Sequence, residues 1–127
     1  MKLIHAVTLV FGAVQLFMTQ AWAEGDVVNG EKSFKKCVAC HEAAKPVNKL
    51  GPHMVGIFGR AVASVEGYKY SEAMIAHAAT VAIWDDAALN IYLENPKAVV
   101  GKTKMAFGGI KTPEERADLI AYLKTLK

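Results

Sequence analysis

The 127-residue chain has two cysteines, and they stand three apart in Cys37-Val38-Ala39-Cys40-His41. On a helical turn of about 3.6 residues, positions i, i+3 and i+4 share one face. Two thiols and an imidazole so placed can serve a single planar group. The thiols reach the two vinyl groups at one edge of a porphyrin, and the imidazole sits under the iron. C-x-x-C-H is the attachment pattern of covalent c-type haem. A chain that carries such a group must fold around it, so the motif restricts the architecture as well as the chemistry. Two other readings use the same thiols. A redox-active C-x-x-C pair normally sits on an α/β domain, and no β-strand alternation is visible here. A zinc site needs about four ligands, and only His53 and His77 remain downstream as further N or S donors. The histidine directly after Cys40 favours haem.

The redox compartment bears on this choice. Lys2 is a short positive region, and Leu3 to Met18 is mostly apolar, with His5, Thr8 and Gln15 as polar breaks. Ala21-Trp22-Ala23 follows with the small-x-small pattern of a signal-peptidase site. Residues 1–23 are therefore expected to direct export and to be cleaved after Ala23. The alternative is an uncleaved membrane anchor. The apolar run of about 16 residues falls short of the roughly 20 that span a bilayer. Residues 24–127 then form one small domain, a size that folds alone with little margin unless a cofactor enlarges its core. The formal net charge of +3 includes Lys2. Such a mild excess does not suggest nucleic acid, but clustered lysines could still form a positive patch.

Along residues 24–127 the pattern predicts helices joined by long loops, an all-α fold. A first helix is expected from Val28 to Cys40, capped by Asp26 or Asn29. Residues 43–67 read as irregular, punctuated by Pro46, Gly51, Pro52, Gly56, Gly59 and Gly67. A loop that long is anomalous in a compact domain unless it wraps something. A second helix is expected from Ser71 to Ala79, and a third from Asp85 or Asp86 to Leu93. Residues 95–111 again read as irregular. In the last helix Thr112-Pro113-Glu114-Glu115 has a capping-box Thr and Glu with Pro at the first helical position. Leu119, Ile120, Tyr122, Leu123 and Leu126 supply its apolar stripe.

His41 offers one iron ligand. The opposite face needs another ligand, for which Met54, Met74, Met105, His53, His77 and the lysines are the candidates, or is left open for chemistry, as in a haem enzyme or gas sensor. An ordinary Met fills gaps in a core. Met105 departs from that pattern, because it lies in a loop rich in Gly and Lys, 64 residues beyond His41. Met54 is expected to point inward as packing, Met74 to face the core and His77 to face solvent. A thioether opposite the imidazole favours the reduced iron and raises the reduction potential.

On these residues the chain resembles the class I c-type cytochromes, mitochondrial cytochrome c and the soluble periplasmic bacterial cytochromes c. The resemblance spans residues 24–127. Its strongest blocks are Gly30–His41, Leu50–Arg60 and Trp84–Leu123, including Tyr92-Leu93-Glu94-Asn95-Pro96-Lys97 and Thr103-Lys104-Met105-Ala106-Phe107. It implies a small single-domain fold wrapped around one covalent haem c. Cys37 and Cys40 would form the thioethers, and His41 and Met105 the axial bonds to iron. Pro52 matches the residue whose carbonyl accepts the imidazole proton. Tyr92 and Thr103 match groups that order the Met side, and Arg60, Tyr70 and Trp84 match groups around the propionates. Gly30 and Phe34 match the crossing of the first helix with Leu119 and Tyr122 of the last.

The implied function is electron shuttling, with no catalytic residue set and hence no enzyme. Lys32, Lys36, Lys97, Lys104 and Lys111 match a lysine ring for acidic docking faces of redox complexes. A cytochrome bc complex, a terminal oxidase, a reaction centre or a periplasmic dehydrogenase would fit. The resemblance implies a monomer without stable membrane insertion and without a nucleic-acid partner, in a respiratory or photosynthetic chain. There are departures. Gly101-Lys102 stands where Pro-Gly is usual, Met74 replaces a polar residue, and the segment from Tyr70 to Trp84 is slightly longer than in mitochondrial relatives.

Overall fold

The computed structural model describes residues 24–127, and the expected export segment lies outside them. Five helices follow in order: α1 (Val27–Phe34), α2 (Glu72–Ala78), α3 (Asp86–Glu94), α4 (Pro96–Val99) and α5 (Pro113–Leu123). Among the described residues the only β pairing is an isolated antiparallel bridge between Ala61 and Ile83. The all-α expectation holds.

The two ends of the described chain meet. Asp26 caps α1, its carboxylate accepting from the Asn29 N–H at 2.8 Å. Its own N–H donates to the Asp118 carboxylate at 2.7 Å, 92 positions along the chain. The helix axes cross where a side chain is missing. A Cβ on Gly30 would stand 2.0 Å from the Asp118 carbonyl oxygen and 2.8 Å from the Tyr122 Cβ. No larger residue fits unless the helices separate. Phe34, one helical turn on, packs its ring against Tyr122 at a tilt of 51°, with centroids 5.3 Å apart. The predicted crossing of Gly30 and Phe34 with the last helix is therefore present.

α3 lies against α5 through a buried cation. Arg116 donates from Nη1 to the Ile110 and Lys111 carbonyls at 2.8 and 3.0 Å, and from Nε to Asn90 Oδ1 at 2.8 Å. It thereby satisfies carbonyls of the non-helical run that leads into α5. The core gathers Phe34, Trp84, Leu89, Tyr92, Leu93, Val100, Ile110, Leu119, Ile120 and Leu123.

Three boundaries differ from the expectation. α1 ends at Phe34, not Cys40. Beyond it the backbone tightens into i→i+3 bonds, Lys36 N–H to the Ser33 carbonyl and Cys37 N–H to the Phe34 carbonyl at 2.7 Å. No Gly or Pro marks this stop, so nothing local signals it. α4 was not expected at all. Asn95 caps it, accepting from the Ala98 N–H at 3.2 Å, with Pro96 at the first position. The Asn-Pro pair that ends α3 thus begins another turn of helix. In α5 the Thr112 side chain makes no cap bond. Glu115 instead accepts from the Ser33 hydroxyl at 2.7 Å and pairs with the Lys36 ammonium. Tertiary partners outcompete the local capping box.

The irregular run 35–71 is ordered by long-range backbone bonds. Gly51 N–H donates to the Cys40 carbonyl and Met54 N–H to the Glu42 carbonyl, each at 2.8 Å. Gly59 N–H donates to Trp84 O, and Trp84 N–H to Arg60 O at 3.0 Å. These bonds shape the run into the walls of a cavity.

Candidate functional site

Cys37, Cys40, His41 and Met105 all face one cavity of about 440 Å³, within the size range of small-molecule sites. Its lining is mainly apolar, from Phe34, Ile57, Trp84, Leu89 and Leu119. A second, larger cleft of about 670 Å³ lies between the start of α1, α3 and α5, and holds none of the expected site residues.

The motif forms a hydrogen-bonded turn just beyond α1. Cys40 N–H and His41 N–H both donate to the Cys37 carbonyl, at 3.1 and 2.9 Å. The His41 bond spans i to i+4, so the shared face survives although regular helix has ended. His41 Nδ1 stands 2.7 Å from the Pro52 carbonyl oxygen. A carbonyl can only accept, so Nδ1 carries the proton and the Nε2 lone pair is left free. Burial holds the imidazole below its usual pKa, reinforced by Arg60 and Lys49 and opposed by the Pro52 bond. The ring is therefore neutral, with its lone pair at one defined nitrogen. Gly51 is part of this arrangement, since a Cβ there would lie 2.3 Å from His41 Cε1.

The thiols argue against the competing readings. Burial pushes the Cys37 thiol up to about 11, with Lys36 opposing. A redox-active pair needs a lowered thiol pKa. Among the described residues no cluster of three or more His, Cys, Asp or Glu could hold a metal ion.

Another part of the lining comes from α3 and the loop after α4. Met105 N–H donates to the Thr103 hydroxyl at 3.2 Å, and the Tyr92 hydroxyl lies 4.0 Å from the Met105 sulfur. Burial pushes the Tyr92 phenol up, against a Thr103 hydrogen bond that lowers it, so it stays a neutral donor. Met54 and Met74 also line the cavity. The Met54 amide donates to the carbonyl of Glu42, the residue after His41. His53 and His77 are not among the lining residues. His77 is half-buried with its ring 6.1 Å from Trp84, so it does not simply face solvent as expected.

At the remaining edge, Arg60 Nη1 donates to the His53 and Val55 carbonyls at 3.0 and 3.3 Å, while its buried Nε has no partner. Tyr70, whose hydroxyl accepts from the Val65 N–H at 3.0 Å, and Trp84 line the cavity beside it. An orphaned guanidinium N–H in a cavity asks for an anion. A porphyrin with two carboxylates, two thioether positions and an iron matches this donor set. Asn48 was not singled out in the sequence. Its Oδ1 accepts from the His53 N–H at 3.1 Å, and its Nδ2 donates to the Glu66 carbonyl at 3.2 Å, joining two loops of the wall. An Asn in an irregular run carries no local sign of such a role.

Lys32, Lys36, Lys97, Lys104 and Lys111 are all exposed, and Lys36 and Lys104 reach the cavity mouth. They are not equally free. Lys36 pairs with Glu115, Lys104 Nζ donates to the Lys69 carbonyl at 3.0 Å, and Lys111 Nζ donates to the Glu94 carbonyl at 2.6 Å.

Comparison with known proteins agrees with this geometry. Residues 27–127 match the family model described as Cytochrome c. Cytochrome c2 of Rhodomicrobium vannielii is 46% identical over 117 residues, covering 90% of each chain. Cytochrome c of Euglena viridis is 46% identical over 104 residues, 81% of this chain and 99% of its own. The cytochrome cy of Rhodobacter capsulatus is 50% identical over 103 residues, 80% of this chain and half of that protein. The solved structure of cytochrome cH from Methylobacterium extorquens superposes with a TM-score of 0.72 at 41% identity, covering 80% of this chain and 99% of its own. A cavity built around two thiols and one oriented imidazole, on a chain matched by these relatives over nearly all its described length, makes this protein a member of the cytochrome c family, electron carriers that hold a covalent haem c.

Proposed function

We propose that this chain is a His/Met-ligated monohaem electron shuttle, exported by residues 1–23 and cleaved after Ala23. Cys37 and Cys40 form the two thioethers. When bound, the haem supplies reversible one-electron chemistry. The observation that carries the reading is the pairing of a free His41 Nε2 with a Met105 sulfur ordered by Tyr92 and Thr103, both facing one cavity. The Pro52 carbonyl fixes the imidazole tautomer and raises its basicity. A soft thioether opposite it raises the reduction potential. With His41 and Met105 both holding the iron, a substrate would find no place there, which would suit electron transfer and not catalysis. Arg60 neutralises propionate charge, and the apolar walls exclude water. The exposed lysines around the cavity mouth present positive charge to acidic faces of redox complexes in the periplasm. Such a surface mainly raises encounter rate and sets orientation, and it weakens with salt.

Carbon monoxide tests the ligation. The native ferrous protein should bind it poorly, and Met105→Ala should bind it readily and lose the ferric Met–iron charge-transfer band. Ready binding by the native protein would refute a closed site. The mass of the purified protein should begin at Glu24, and a retained residue 1–23 segment would refute the cleavage.

A further inference from the structure

The turn that delivers Met105 has its two central residues in the wrong order. Thr103 N–H donates back to the Val100 carbonyl at 3.2 Å, closing a four-residue turn with Gly101 and Lys102 at its centre. Lys102 sits at φ +56°, whereas Gly101 is not in the positive-φ region. A turn with positive φ only at its third position is of the type II class, which calls for Gly there and tolerates almost any residue, Pro included, before it. Here Gly occupies the position that does not need it, and Lys the position that does. The left-handed region crowds an L-residue's Cβ against the next carbonyl. Lys102 is exposed, so no packing rewards the conformation. It is imposed from both sides: Val100 is only 2% exposed, and Met105 is held by Thr103 and Tyr92.

We propose that Lys102 is a strained positioning residue that lowers the cost of releasing Met105, so that the Met side of the site opens to small ligands more readily than the cavity packing alone would allow. The inference rests on the assignment of Met105 to the iron. When the loop opens, Lys102 relaxes out of the left-handed region, and the strain held in the closed state is returned. Removing that strain should therefore tighten closure, and removing only the ammonium should not.

The test uses the ferric holoprotein and imidazole as the probe, following loss of the Met–iron charge-transfer band. Lys102→Gly, which adopts positive φ freely, should lower imidazole affinity about 3- to 10-fold, the lower end allowing for the extra freedom of Gly in the open loop. Lys102→Ala, which keeps the backbone penalty and loses the charge, should stay within about twofold of the native protein. The Thr103 amide should exchange more slowly with solvent in Lys102→Gly by the same factor as the affinity change, and no slower in Lys102→Ala. An unchanged affinity in Lys102→Gly, or an equal fall in Lys102→Ala, overturns the inference. Absence of the charge-transfer band from the native protein would instead overturn the Met105 assignment itself, so the two failures are distinguishable.

Discussion

Gly30→Ala sets two effects against each other, and their magnitudes decide the sign. Gly30 is interior to α1, where Ala is favoured over Gly by about 1 kcal/mol in helix propensity. Judged on its own helix, the substitution should stabilise. Judged on the crossing, it should not. The new Cβ would stand 2.0 Å from the Asp118 carbonyl oxygen and 2.6 Å from its carbon, where ordinary contact begins at 3.4 Å. Both are backbone atoms of α5 and cannot rotate aside, so the helices must part by about 1 Å. Overpacking of this kind costs about 1–3 kcal/mol, and the rigid neighbour puts it at the upper end. Loosening the Phe34–Tyr122 ring pair forfeits about 0.5–1.5 kcal/mol more. After the propensity gain, the net loss is about 3 kcal/mol, or a fall in Tm of about 12–20 °C for a domain this size. Guanidinium unfolding of the ferric holoprotein, followed by far-UV circular dichroism, measures it. Gly108→Ala is the control, because a Cβ at that position would meet no atom within 4 Å and its φ is ordinary. That variant should stay within about 0.5 kcal/mol of the native protein. If Gly30→Ala proves as stable as the native protein, the close helix crossing is not what holds the chain ends together.

Two further predictions concern polar ties between the helices. Arg116→Met keeps the bulk of the side chain but leaves the Ile110 and Lys111 carbonyls unpaired. It should cost about 2–4 kcal/mol, seen as a lower denaturation midpoint with unchanged slope, and a midpoint like the native one would deny Arg116 its structural role. The Glu115 carboxyl is held below its usual pKa of 4.5 by hydrogen bonds from Lys36 and Ser33. A folded-state pKa below the unfolded one contributes stability that is full above about pH 4.5 and is lost as pH falls through the folded value. The stability gap between the native protein and Glu115→Gln should thus be widest near neutrality and close on acidification. A gap that widens in acid would contradict the pairing.

Much of the site was legible because its chemistry is carried by rare residue types at tight spacing. Cys37, Cys40 and His41 announce themselves, and Met105 stands out in a Gly- and Lys-rich loop where a core Met is less expected. Helices α3 and α5 were legible from the Asp85 cap and from Pro113 at the first helical position, whose effects are local. What escaped notice depends on partners distant in sequence. Glu115 looks like half of a capping box, yet Ser33 and Lys36 claim it from the end of α1. The stop of α1 at Phe34 has no punctuating residue, and the short α4 hides behind an Asn-Pro pair that reads equally as an ending or a beginning. Asn48 and Gly51 act only through what the fold brings beside them, the walls of the cavity and the His41 ring.

The Asp26–Asp118 tie, 92 positions apart, has a consequence for how such chains can vary in length. Everything between α1 and α5 is one closed loop. The entropy of closing a loop rises only with the logarithm of its length, so a few added residues cost well under about 0.1 kcal/mol here. A clasp at the ends therefore leaves the interior segments free to lengthen or shorten, provided the cavity walls are kept. The stretch 75–80, which carries the end of α2 and no part of the cavity lining, is where such a change would be tolerated most readily. Size variation and cofactor geometry are separable in a polymer tied in this way.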